Sequence, residues 1–454
     1  RGTSRDIAGH RGTSREAECF IVGNPPFVGQ ALQTAEQKAD LASVGQGLRS
    51  VGALDFVAAW YLKAGQLLQS FPSVRVAFVS TNSIVQGEQV AILWGELVNR
   101  YDLDILFAHR SFKWNNEARG NAAVFCVIVG LARRGGSGLR PLFDYPTPNA
   151  LPQRREVGHI NPYLVDAPTV FIPNRTRPLS PGVPPMIWGN KPSDGGHLIL
   201  SEAERSELLA FEPGSAPWVR RYVGGDDLIN NKVRYCLWLP GISPGELRSM
   251  PRLMARVEAV RQMRASSKAP STQKKAATPT LFVQISQPET DYLAIPEVSS
   301  ERRRYIPVAF LSKEIIASNT VQLVPNATPY FFGMLMSEMH MAWMRQVCGR
   351  LKSDFRYSNS LVYNNFPFPP APTSNQVGAV EAAAQAVLVA RAQYPDETLA
   401  VLYDPRLMPP NLAQAHAALD RAVDRCYRPQ PFANELARVE FLFGLYQQFV
   451  NSGH

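Results

Sequence analysis

The sequence predicts an α/β fold: half of a Rossmann-like sheet, followed by an α+β domain and a small C-terminal helical domain. Three features of the 454 residues predict it. Between residues 19 and 135, apolar runs of strand length alternate with segments of helical period, the pattern of a layered α/β sheet. From 166 to 372, short apolar runs are interrupted by many prolines and tight turns, which suits an irregular α+β domain. From 373 to 454, three stretches carry helical spacing.

Residues 1–18 hold the pentapeptide RGTSR twice, at Arg1–Arg5 and Arg11–Arg15, without a hydrophobic period. They read as a disordered or artefactual extension. Cys19–Gly23 reads as a strand. Ala53–Ser70 reads as a helix with Phe56, Trp60, Leu67 and Leu68 as its apolar positions. Val74–Ser80 is a second strand, Val90–Arg100 a helix, and Asp104–Ala108 and Ala123–Leu131 are further strands. Together they make the second half of a mostly parallel sheet. Ligands of such sheets bind at the carboxyl ends of strands, where Asn24 and Ser80-Thr81-Asn82 stand. Residues 136–165, rich in Gly, Pro and Arg, read as a linker. Pro367, Pro369, Pro370 and Pro372 close the α+β region, and 376–393, Leu412–Tyr427 and Glu435–Val450 read as the C-terminal helices.

Asn24-Pro25-Pro26-Phe27 follows the first strand directly. Two consecutive prolines remove two N–H donors and fix φ near −65°, so this loop keeps one shape. An Asn side-chain oxygen and a proline carbonyl held together accept both hydrogens of an exocyclic amino group. The ring of Phe27 offers a face for a planar base taken out of its stack. A plain strand-ending turn is the alternative for these four residues alone.

Hydrophobic residues make up 45% and charged residues 19%, an ordinary globular balance. No run is long enough to cross a bilayer. The five cysteines, Cys19, Cys126, Cys236, Cys348 and Cys426, are far apart and form no CxxC pair. They suggest a reduced cytoplasmic setting and no metal site, with Cys19 and Cys126 in buried strands. Net charge is +9, which permits nucleic-acid binding. The charge is concentrated between 252 and 275, where Arg256, Arg261 and Arg264 are candidate phosphate contacts, and again at Arg302, Arg303 and Arg304. A solvated helix followed by a loop is the plainer reading of the first cluster.

The Asn-Pro-Pro-Phe loop after a hydrophobic strand resembles motif IV of the amino-methyltransferases. Leu54–Tyr61, Val76–Ser83 and Phe107–Trp114 look like successive later motifs. Gly349–Ser358 and Tyr363-Asn364-Asn365-Phe366-Pro367 resemble the recognition region of the MmeI-like (type IIL) restriction-modification enzymes. The resemblance runs from about residue 19 to about residue 450. It implies adenine-N6 methylation of double-stranded DNA with S-adenosylmethionine in bacterial defence, with Asn24, Pro25, Pro26 and Phe27 at the catalytic loop. Phe112 and Trp114 are candidates to cover the second face of the base; His109 beside them reads as structural.

Gly349–Ser358 alternates Arg350, Lys352, Asp354 and Arg356. If extended, these share one face. Lys donates to guanine and Asp accepts from cytosine N4, so Lys352 and Asp354 are expected to read one base pair and Arg356 a neighbour. A surface ion-pair ladder is the alternative. No FxGxG cofactor motif is present, and Gly45-Gln46-Gly47 follows a helical stretch rather than a strand. No acidic–acidic–Lys nuclease cluster is evident. The sequence therefore resembles the C-terminal portion of a larger enzyme, inactive alone, whose N-terminal methyltransferase and nuclease portion or subunit lies elsewhere. A non-catalytic DNA-recognition module or remnant and a protein glutamine methyltransferase are the rival readings. A glutamine amide presents the same two hydrogens.

Overall fold

In the computed structural model, which describes residues 18–114, 124–147, 150–351 and 353–453, the run Phe20–Gly23 forms strand β1. Helices α1 (Ala35–Val44) and α2 (Ala58–Ser70) lead to β2 (Arg75–Thr81). Helix α3 (Gln89–Asn99) precedes β3 (Leu103–Trp114) and β4 (Val124–Arg133), and β5 (Arg140–Asp144) and β6 (Gln153–Val157) follow. These strands make one sheet in the order β1-β2-β4-β3-β5-β6.

Neighbours β1/β2 and β3/β5 are parallel, whereas β2/β4, β3/β4 and β5/β6 are antiparallel. The sheet is mixed, not mostly parallel as the sequence suggested. The reason is loop length. Parallel neighbours need a crossover of a dozen or more residues. The chain between β1 and β2 provides one, but the connections within β3–β4 and β5–β6 are too short. The segment 136–165, expected to be a linker, instead adds β5 and β6 to the sheet.

Helix α2 buries Tyr61, Leu62 and Leu68. Tyr61 meets Phe78 of β2 edge-on at 5.3 Å between centroids, and its hydroxyl pairs with Ser80 Oγ at 2.8 Å. Cys126 is buried as expected, but Cys19 is exposed. It lies beside β1, the edge strand among the described residues, where Phe20, Ile21 and Val22 are also exposed.

The contacts divide the chain into two compact units. One comprises the residues up to Ile84 with Ile92–Leu164; the other comprises Val85–Ala91 with Val165 onward. The second unit holds three small sheets of three or four strands. Around one of them Leu198, Cys236, Leu253 and Val260 form a core. The helices Ser374–Ala392, Pro410–Tyr427 and Glu435–Asn451 fall within two residues of their expected positions. Gly333 lets the helix Pro329–Leu335 approach the first of them, because a Cβ there would lie 2.8 Å from Val380 Cγ1. Trp343 is fully buried against the rings of Phe443 and Tyr446, both at 5.7 Å.

The short segment Val85–Ala91 is a tongue built into this second unit. Gly87 has φ +66°, and its N–H donates to Val347 O at 3.1 Å. A Cβ on Gly87 would stand 3.3 Å from Gly349 Cα. Glu88 accepts from Asn174 Nδ2 at 3.2 Å.

Two buried histidines make this unit acid-sensitive. His340 Nε2 pairs with Tyr357 Oη at 2.9 Å and His416 Nε2 with Tyr403 Oη at 2.8 Å. Burial pushes both imidazoles down to about 3, against about 6.5 in an unfolded chain. A group whose pKa is depressed by folding contributes stability above its unfolded value and loses it as pH falls. By pH 5 each should have cost about 2 kcal/mol. Asp420 opposes them. It accepts from Tyr305 Oη at 2.6 Å and from Glu338 N at 2.8 Å, and burial pushes it up to about 6. It returns about 1 kcal/mol over the same interval, because its neutral form is favoured in the folded chain. Denaturant melts at pH 7 and pH 5 should differ by about 3 kcal/mol, stability being lower at pH 5. H340Q should remove about two thirds of that difference. An unchanged pH profile in H340Q would show that the imidazole does not titrate on unfolding.

Candidate functional site

The loop after β1 is held from outside itself. Gln30 N–H donates to Asp55 Oδ1 at 2.8 Å, Phe56 N–H to Val28 O at 2.9 Å, and Gln33 Nε2 to Leu54 O at 2.9 Å. The Leu54-Asp55-Phe56 turn thus clamps the exit of Asn24-Pro25-Pro26-Phe27. Asp55 was not foreseen as part of the site. Within the loop Pro25 is buried, Phe27 half-buried, and Asn24 and Pro26 are exposed. The Asn24 amide has no hydrogen-bond partner among the described residues, so its oxygen is available to an incoming donor.

The register relates this loop to the stacking candidates. Gly23, Phe78, Val129 and Ala108 form one row across β1, β2, β4 and β3. Thr81, Cys126 and Phe112 form a second row further along, towards the carboxyl ends of β1, β2 and β3. Asn24 and Phe112 therefore both lie toward the carboxyl edge, three strand spacings or about 14 Å from each other across the sheet, with Phe112 further along it. Phe112 is half-buried and stacks on Tyr145 at 5.1 Å, while Trp114 is 41% exposed at the end of β3. Both Phe112 and Trp114 belong to β3, which runs well past the expected strand end at Ala108. His109 is structural in geometry, stacked on Phe143 at 4.1 Å with its Nδ1 2.8 Å from Tyr145 Oη. Burial lowers its pKa.

Gly45-Gln46-Gly47 lies at the end of a helix. Gly45 is the C-cap of α1 and Gly47 takes φ +85°. This geometry stops a helix and does not open a strand-to-helix cofactor turn.

In the second unit, Gly349–Leu351 and Asp354–Arg356 form an antiparallel hairpin whose second strand also pairs with Val298–Ser299. The expectation of one extended face for Arg350, Lys352, Asp354 and Arg356 fails, because the chain reverses between Leu351 and Asp354. Arg350 pairs across the hairpin with Phe355 and lies over its ring at 4.0 Å. Asp354 and Arg356 occupy the opposite face, since side chains alternate along a strand. Asp354 is half-buried and accepts weakly from Glu301 N at 3.4 Å; Arg356 is exposed, with Nε 3.1 Å from Glu297 Oε1. Lys352 lies outside the described residues.

The phosphate candidates separate sharply. Arg264 is fully buried and is not a surface cation. Its Nε donates to Ser193 O, Nη1 to Lys275 O and Thr278 O, and Nη2 to Pro192 O and Leu281 O, at 2.8–3.1 Å. All five N–H groups of the guanidinium are used, so it cannot contact a phosphate. Arg256 is paired with Glu204 at 2.8 Å and His197 O at 3.1 Å, and Arg261 with Glu258 at 3.1 Å. Arg304 is tied to Glu338, Arg303 is half-buried with its pKa lowered by desolvation, and Arg302 is exposed.

Comparison with known proteins places these units. Residues 5–144 match the family described as the MmeI DNA-methyltransferase domain, 166–370 the MmeI target recognition domain, and 372–452 the MmeI C-terminal domain. A Bacillus subtilis (strain 168) protein named DNA methyltransferase A is 38% identical over 431 residues, which are 95% of this chain and 48% of that protein. The solved structure of the type IIL restriction-modification enzyme MmeI in complex with DNA is 48% identical with a TM-score of 0.85, over 95% of this chain and 57% of that one. The chain thus spans about half the length of these relatives. No helix among the described residues is long and apolar enough to cross a membrane. With all three of its domains matched in order, the chain belongs to the MmeI-like, type IIL restriction-modification family.

Proposed function

We propose that this chain carries the base-holding edge and the sequence reader of a site-specific DNA methyltransferase that modifies adenine at N6. The observation that carries the reading is Asn24: an exposed amide, without a hydrogen-bond partner among the described residues, on a double-proline loop clamped by the Leu54-Asp55-Phe56 turn. Its Oδ1 and the Pro25 carbonyl accept the two amine hydrogens and orient the nitrogen lone pair. S-adenosylmethionine, when bound, supplies the methyl group. No strong base is needed, since the amine nitrogen sheds its proton after the methyl has moved. The work of this chain is positioning. Phe27 and Phe112 cover the two faces of the extruded adenine, offsetting an unstacking cost of a few kcal/mol. Residues 19–135 serve as the catalytic portion and 166–372 as the reader of double-stranded DNA, with 373–454 packing against the reader.

The test is transfer of labelled methyl groups from S-adenosylmethionine to unmodified genomic DNA by the full-length protein, with the modified nucleoside identified by mass. N6-methyladenine is expected, and no transfer by these 454 residues alone. N4-methylcytosine would correct the base; methylated glutamine in protein would replace the reading; DNA binding without transfer by the full-length protein would leave a recognition module.

Within the reader, Asp354 and Arg356, on the hairpin face opposite Phe355, are base-contacting residues together with Lys352. Each good contact discriminates by roughly 1–3 kcal/mol. Lys352→Glu combined with Asp354→Arg should change the preferred base at one position of the methylated motif, read by sequencing the modified DNA. An unchanged motif would make this pair a surface salt bridge. Arg302 and Arg261 are the phosphate contacts that fit their exposure best.

A further inference from the structure

Phe112 does not reach its position by simple strand alternation. Across from it on β4, Ile128 faces His109 and Cys126 faces Phe112, so β3 spends three residues where β4 spends two. That is a bulge, and a bulge re-aims the side chains beyond it. His109 and Phe112 would otherwise point to opposite faces; here their rings approach to 6.5 Å.

The parallel strand β5 completes the arrangement. His109 pairs with Phe143, and their rings stack at 4.1 Å with an interplanar angle of 4°. Tyr145, two residues beyond Phe143, returns to the same face. Its hydroxyl lies 2.8 Å from His109 Nδ1 and its ring stacks on Phe112 at 5.1 Å and 27°. Between them Asp144 accepts from Arg110 and from Arg155, both at 2.9 Å, which fixes the end of β5 against its two neighbours. Tyr145 is thus located by a strand clamp and a hydrogen bond, and Phe112 leans on it.

We infer that Tyr145 is a positioning residue for methyl transfer: its ring holds Phe112 at the angle needed to stack on the extruded base. The inference rests on the proposed stacking role of Phe112. Beyond the bulge Phe112 is still paired with Cys126, and the rings near it are His109, Trp114 and Tyr145, of which Tyr145 is the one stacked on it. Tyr145 covers one side of it and leaves part of the half-buried ring open. A small misplacement of a group that orients substrate is enough to slow a reaction by orders of magnitude.

The experiment measures the single-turnover rate of methyl transfer and DNA affinity for the full-length protein, using tritiated S-adenosylmethionine and unmodified genomic DNA. Y145A should slow transfer on the order of 10- to 100-fold with unchanged DNA affinity and melting temperature. Y145F, which keeps the ring and loses only the hydroxyl, should restore most of the rate. Wild-type transfer by Y145A overturns the inference. Equal slowing in Y145A and Y145F also overturns it, since the hydroxyl would then matter rather than the ring. So does a fall in affinity and melting temperature that matches the fall in rate. F112A separates the two levels: wild-type transfer by F112A overturns the stacking role itself, whereas a slow F112A beside a fast Y145A overturns only the role of Tyr145.

Discussion

Asn24→Ala in the full-length protein is expected to lower methyl transfer by at least 10²–10³-fold, on the order of the loss when one preorganised hydrogen-bonding group is removed from a transition state. Affinity for duplex DNA should stay within about twofold, because phosphate contacts supply most non-specific binding and Asn24 is not among them. The folded chain should be unaffected. The Asn24 side chain is exposed and has no partner among the described residues, and surface substitutions of that kind stay within roughly 0.5 kcal/mol. Single-turnover rates, gel-shift affinity and a thermal melt on the same preparation check all three. Parallel loss of transfer and binding would make Asn24 a structural residue.

Arg264→Met should be the most destabilising of the changes considered, by about 3–5 kcal/mol. Methionine fills much of the volume, so the effect isolates the guanidinium. Its loss would leave the carbonyls of Pro192, Ser193, Lys275, Thr278 and Leu281 without the donor they share. Lysine is no substitute, since an ammonium has three donors and no planar fork. Arg264→Lys should recover less than half of the loss in a denaturant melt. Arg261→Met, on the same helix but exposed and paired only with Glu258, should cost under about 1 kcal/mol. Equal effects at the two positions would show that the five bonds contribute little.

These two arginines mark where the sequence was legible and where it was not. Strands β1 to β4 and helices α2 and α3 of the first unit follow from local period, and Asn24 announces itself because two prolines in a row after an apolar strand leave few conformations. Arg264 is different. A charge count sees a cation three residues from Arg261, but its burial is decided by carbonyls from two other stretches, 192–193 and 275–281, which no local pattern encodes. The hairpin failed for a related reason. A spacing of two reads as one strand unless the turn is recognised, and the reversal between Leu351 and Asp354 carries neither Gly nor Pro. Tyr145 was hidden in a stretch rich in Gly and Pro. Its five-residue strand, Arg140–Asp144, is too short to show a period, although the apolar pair Leu142-Phe143 was a usable signal.

The tongue at Val85–Ala91 bears on what an engineered exchange of the second unit must carry with it. A reader exchanged as a cassette beginning at residue 165 would leave behind a piece of its own packing, because Gly87 and Glu88 belong to the same unit as Val347, Gly349 and Asn174. The chain can be cut once, yet the unit has two entry points. Any donor reader must tolerate a left-handed glycine against the root of its hairpin, where even one added methyl group would stand 3.3 Å from Gly349 Cα. An exchange at residue 165 alone would thus part the unit from a short sequence more than seventy residues upstream that packs within it.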